Sequence, residues 1–190
     1  MFSSPFKKLS NAAEKKLLIL AITTFLLAGT CMVQFDVLLK TVEAPLGIIS
    51  FELARTVDSA DAIITSWQAV DGAMKSAEWS LWFDYIFIIT YVFLLCLLIH
   101  KVMKLAWPNK ESQAYRLGTV LIRMVIFAGV LDMVENFALL QIFYDGIQAH
   151  WTNLAFVTAL LKFIKLALGI LYLLVSYLIY LLKKNTRVRK

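Results

Sequence analysis

Four apolar runs, at roughly 17–38, 80–100, 117–143 and 154–182, dominate the chain and constrain its fold more than any other feature. A helix rising about 1.5 Å per residue needs about 20 mostly apolar residues to cross the hydrocarbon of a bilayer. All four runs meet that requirement, and the last two exceed it, so tilt or protrusion is expected. Hydrophobic residues make up 61% of the 190 and charged residues 17%, whereas soluble domains carry about 45–50% and about 25%. Too few polar residues remain to cover a water-facing surface. Disorder, collagen, coiled coil and disulfide scaffold are excluded. Pro5, Pro45 and Pro108 all fall outside the runs, which suits unbroken helices. The expected fold class is all-α: a transmembrane antiparallel four-helix bundle forming a single integral membrane domain over 1–190, with an amphipathic helix in its outer loop.

Lysine and arginine in the flanks set the expected orientation. Lys7, Lys8, Lys15 and Lys16 precede the first run; Lys101, Lys104, Lys110 and Arg116 lie between the second and third; Lys183, Lys184, Arg187, Arg189 and Lys190 close the chain. The other two connections hold only Lys40, Arg55 and Lys75 against seven acids. Both termini are therefore expected to be cytoplasmic. The net charge of +6 is accounted for by these three boundaries and by contact with anionic headgroups. A nucleic-acid reader would interleave its cations with aromatics on an exposed face, so nucleic acid is not an expected partner. Membrane lipids are.

The stretch 26–31, Leu-Leu-Ala-Gly-Thr-Cys, is similar to a lipoprotein signal. Thr30, however, stands where a small Gly or Ala is wanted, and apolar sequence continues to Leu39. A retained anchor is expected. Cys31 and Cys96 should lie at different depths, beyond the roughly 6 Å Cα spacing of a disulfide, and both are expected as free thiols.

Residues 41–79 form the one sizeable connection. Ser50 is placed to cap a helix over about 50–70, with Glu52 in its first turn, where a carboxylate suits the helix dipole. Leu53, Val57, Ala60, Ile64 and Trp67 recur on one face, so the helix should lie on the outer membrane surface or cap the bundle. Asp71-Gly72 is expected to end it. A plain structural lid and a gate over the bundle are both open readings.

Ionisable residues inside the runs carry most of the functional information. Burying one costs about 2.5–3.5 kcal/mol on insertion scales, and such residues turn inward, pair and mark sites. In the third run Asp132, Glu135 and Asn136 share a face, with Ala128 and Gly129 one turn earlier allowing close helix approach. In the fourth run Lys162 and Lys165 share another. Counted from the outer ends, Glu135 and Lys162 lie about 12 Å deep and Asp132 and Lys165 about 17 Å deep. Antiparallel neighbours would thus pair Glu135 with Lys162 and Asp132 with Lys165. Asp84 should stand near the upper level, with Tyr91 two turns below it on the same face, while Arg123 points the other way and snorkels. Three carboxylates against two ammonium groups leave a negative surplus to be balanced by a proton or a ligand cation.

Metal and cofactor chemistry find no foothold, and no cofactor is expected. His100 and His150 fall at opposite membrane boundaries, whereas di-iron bundles need Glu-x-x-His pairs. No phosphate loop, Ser-His-Asp set or Cys-x-x-Cys motif is present.

Four pieces, Phe-Glu-Leu-Ala at 51–54, Ser-Leu-Trp-Phe-Asp-Tyr at 80–85 with Tyr91, Leu-Asp-Met-Val-Glu-Asn at 131–136 and Leu-Lys-Phe at 161–163, resemble a group of uncharacterised bacterial four-span integral membrane proteins. The resemblance covers about two-thirds of the chain. It implies that Glu52, Asp84, Tyr91, Asp132, Glu135, Asn136 and Lys162 form the group's polar constellation; Lys165 is not part of that pattern. No activity comes with it. The expected function is binding or passage of a small molecule or lipid headgroup at this cluster, with proton linkage as an extension. A lipid isomerase or transferase using a carboxylate acid/base and an assembly partner whose charges set helix packing are the alternatives.

Overall fold

A computed structural model describes residues 10–188. Lys7, Lys8, Arg189 and Lys190, used above for orientation, lie outside the described residues. The described chain is all helical: α1 (Asn11–Asp36), a 3-10 turn (Val37–Leu39), α2 (Ile48–Glu52), α3 (Val57–Gln68), α4 (Ala73–Ala106), α5 (Gln113–Asp145) and α6 (Ala149–Val188). Four helices are long and apolar enough to cross a membrane, over Ala12–Leu39, Ala73–Ala106, Gln113–Asp145 and Ala149–Asn185. They outrun the apolar stretches because polar first and last turns continue the same helix. Hydroxyl caps start two of them: Ser10 Oγ accepts from Ala13 N at 3.2 Å, and Ser112 Oγ accepts from Tyr115 N at 3.2 Å.

Helices α4, α5 and α6 pack on one another, and α1 lies along α4. The turns at 107–112 and 146–148 are short, so α4 with α5 and α5 with α6 run antiparallel. Small residues set the closest approach. A β-carbon on Gly129 would stand 2.7 Å from Val92 Cγ2, so glycine is what lets α5 meet α4 there. At the Lys- and Arg-rich end Lys104 Nζ pairs with Glu14 Oε2 at 2.7 Å, tying α4 to α1.

The single helix read over about 50–70 is instead two. Thr56 is extended (φ −111°, ψ 157°), and its Oγ1 accepts from Ser59 N at 3.2 Å, so a new helix begins at Val57. A capping hydroxyl competes locally with continued helix, and periodicity alone does not register that competition. Ser50 caps nothing; its Oγ accepts from Leu46 N at 3.0 Å. Helix α2 starts instead at Gly47, whose φ of 60° and ψ of −130° suit glycine. Helix α3 ends at Gln68, ahead of Asp71 and Gly72.

Helices α2 and α3 close one end of the bundle. Phe51 and Trp67 are fully buried and meet edge to face at 5.3 Å between centroids, and Trp67 Nε1 donates to Leu39 O at 2.8 Å. Around them Leu39, Ile63, Leu81 and Leu139 make one apolar core. Cys96, Ile99, Ile122, Val125 and Tyr172 make a second, further along the bundle. Cys31 and Cys96 are free thiols. Asp84 on α4, Asp132, Glu135 and Asn136 on α5 and Lys162 on α6 lie between the two apolar clusters.

Candidate functional site

Lys162 stands at the centre of that polar layer. Its Nζ donates to Asp132 Oδ1 at 2.5 Å, to Glu135 Oε1 at 2.8 Å and to Glu52 Oε2 at 3.1 Å. An ammonium has three hydrogens, and each goes to a different carboxylate. Helices α6, α5 and α2 are thereby joined through one nitrogen. All four residues are buried, Glu135 completely.

Two further hydrogen bonds join α4 to α5 beside this centre. Tyr91 donates its hydroxyl to Asp132 Oδ2 at 2.7 Å, and Asn136 Nδ2 donates to Asp84 Oδ2 at 2.5 Å. Asp132 therefore accepts from an ammonium and a phenol, while Asp84 accepts from a neutral amide. No Lys, Arg or His among the described residues lies within salt-bridge distance of Asp84. Glu135 Oε2 is buried and meets no donor. The Glu52 carboxyl lies within hydrogen-bonding reach of Glu135, an arrangement that a shared proton stabilises. Burial raises the Glu52 pKa above the ordinary glutamate range, against the pull of Lys162.

Two register expectations are met and one is corrected. Glu135 pairs with Lys162, and Asp84 and Tyr91 reach the acidic face of α5. Lys165 does not pair with Asp132: its Nζ lies over the Phe127 ring, 5.6 Å from the centroid. Three residues beyond Lys162 is about 60° short of a full turn, and that offset carries Lys165 from the interior to the α5 flank. Arg123 is exposed. Glu52 is misplaced by the helix-dipole reading, which sets it at the start of a helix; it ends α2 and reaches Lys162, among the residues that the resemblance names. Its signal was present: within Ile48-Ile49-Ser50-Phe51-Glu52-Leu53-Ala54 it is the lone charge in an otherwise apolar run. With Glu52 in and Lys165 out, three carboxyls share one ammonium, and Asp84 stands beside them as a fourth acid with an amide partner.

Beside the cluster lies a groove of about 380 Å³. Helices α1 and α6 flank it, α4 forms its floor and α2 its roof. Phe25, Phe87, Leu98 and Ile170 contribute apolar wall, and Glu52, Asp84, Asp132 and Lys162 contribute the polar end. Such a shape accommodates a molecule with one charged or hydrogen-bonding end and one greasy end.

No protein family, curated protein or solved structure matches the chain.

Proposed function

We propose that this chain is a multi-pass protein of a bacterial inner membrane that binds or passes a small molecule or lipid headgroup at the Lys162 cluster. The groove between α1 and α6, apolar along its length and polar where Glu52, Asp84, Asp132 and Lys162 meet, carries this reading. Lysines and arginines at the adjoining ends of α4 and α5 and in the last turns of α6 support cytoplasmic termini and contact with anionic headgroups on that side. Helices α2 and α3 then cap the outer end, and α2 roofs the groove through Glu52. The residues behind the resemblance to the four-span bacterial group are those gathered around Lys162 and Asp84, which supports placing the chain in that group.

Native mass spectrometry of gently extracted protein tests the reading. Ile170 lines the groove and is 46% exposed, so Ile170→Trp fills the groove without touching the charges. A small molecule or lipid retained by the wild type and lost from Ile170→Trp is the expected result. An empty protein in both forms overturns it.

A second reading rests on the saturation of Lys162. Since each of its hydrogens is committed to protein, the cluster also works as a clip fixing the register of α2, α5 and α6. Glu135→Gln separates the two: loss of stability with the retained molecule still bound favours the clip.

A further inference from the structure

Resting on the groove reading above, we propose that the ligand is an amphiphile with a protonated amine, its apolar chain in the groove and its ammonium at the polar end formed by Glu52, Asp84 and Asp132. Three observations select a cation over an anion or a neutral headgroup. Lys162, the sole basic residue among the described residues that line the groove, has no hydrogen left to offer. Asp84 lines the groove, is 8% exposed, and has an amide rather than a cation for a partner. Glu135, fully buried on the same ammonium, adds a further acid to the layer that ends the groove. In a low-dielectric interior, four carboxyls around one ammonium require further positive charge, supplied by protons or by a bound cation.

The surroundings fit an ammonium as well. Phe25, Phe87, Tyr91 and Phe163 line the groove, and aromatic faces attract cations, more strongly where water is excluded. A phosphate attached to the amine is disfavoured, because its charge would face the same acids with no free donor nearby. A single positive charge on an apolar chain is the better match. Each ammonium hydrogen aimed at Asp84 or Glu52 makes a charge-assisted bond of the strong kind.

Three twelve-carbon probes test the proposal on the full-length wild-type protein by native mass spectrometry at pH 7: dodecylamine, dodecanol and dodecanoate. Dodecylamine is expected to bind about tenfold or more tightly than dodecanol, with dodecanoate weakest. Ile170→Trp should lose the dodecylamine adduct, which separates groove binding from adsorption to the apolar surface. Asp84→Asn should remove most of the preference for dodecylamine over dodecanol. Should Asp84→Asn fail to fold, the three-probe ranking on the wild type still decides the matter. Equal binding of the three, or preference for dodecanoate, overturns the cation assignment while a molecule retained by the wild type keeps the groove reading. No probe bound and no molecule retained overturns both.

Discussion

Lys162 Nζ and Glu52 Oε2 are 110 residues apart in sequence and 3.1 Å apart in space, both side chains buried. Through that bond a five-residue helix in a connecting segment becomes part of the bundle interior. Removing either partner has unequal consequences. Lys162→Met leaves three carboxylates facing one another without a counter-charge, and is expected to cost ~3–5 kcal/mol. Glu52→Gln should cost far less, since Asp132 and Glu135 still hold the ammonium. In the double variant the two effects should be non-additive by roughly 0.5–3 kcal/mol. Reversible unfolding in mixed micelles measures all three; additivity would mean the two groups do not interact.

Burial raises the Glu52 pKa, which gives a pH dependence with a definite sign. The folded protein holds the Glu52 proton more tightly than the unfolded chain does, so this contribution to stability is complete below the ordinary glutamate range. It is lost as pH rises through the raised folded value. Glu52→Gln should therefore gain in relative stability over the wild type as pH increases from 4 to 8. Thermal midpoints of the two proteins across that range check it, and parallel curves would refute it.

Gly47 and Asp36 hold the entry to α2. Asp36 Oδ1 accepts from Ile48 N at 2.8 Å, and a β-carbon on Gly47 would collide with that same carboxyl. Gly47 also has φ 60°, so Gly47→Ala adds backbone strain of order 1–3 kcal/mol to the steric clash. The expected result is faster amide exchange across 44–56 with α4, α5 and α6 unchanged. Asp36→Ala alone, which loses the hydrogen bond but introduces neither clash nor backbone strain, should loosen the segment less.

The α4–α5 contact rests on Gly129. Gly129→Ala places a methyl against Val92 Cγ2, and overpacking of this kind costs ~1–3 kcal/mol. Val92→Ala makes room for it. The Gly129→Ala/Val92→Ala pair should thus unfold later than Gly129→Ala by itself. Equal midpoints would show that the helices separate freely at this level.

Tyr91 donates to Asp132 from the groove wall. Tyr91→Phe removes a hydrogen bond to an acceptor already engaged by Lys162, and bonds to charged groups contribute ~1.5–3 kcal/mol. A loss of that size in unfolding free energy, with the ring retained, is expected. No change would mean that Asp132 is fully satisfied by Lys162.

Much of this protein was legible in the residues themselves. Long uninterrupted apolar runs admit only helices of spanning length, because a run of that kind without prolines has no other way to satisfy its backbone. Intrahelical spacing put Asp132, Glu135 and Asn136 on one face, since 3.6 residues per turn is a local property. Depth counting matched Glu135 with Lys162 for the same reason. Spacing and depth along the chain could not decide which of two lysines turns inward or where Glu52 goes; the resemblance named Lys162 and Glu52 without the contacts that hold them. Lys162 and Lys165 differ by about 60° around α6, and only the packing of α6 on α5 decides which side of that difference is buried. Glu52 reaches the site because Thr56 breaks the helix and Gly47 turns its start, and because α2 then docks on a bundle assembled from segments about a hundred residues away. Local rules settle faces and lengths; long-range packing settles partners, and the four-to-one balance of carboxyls to ammonium belongs to the second kind.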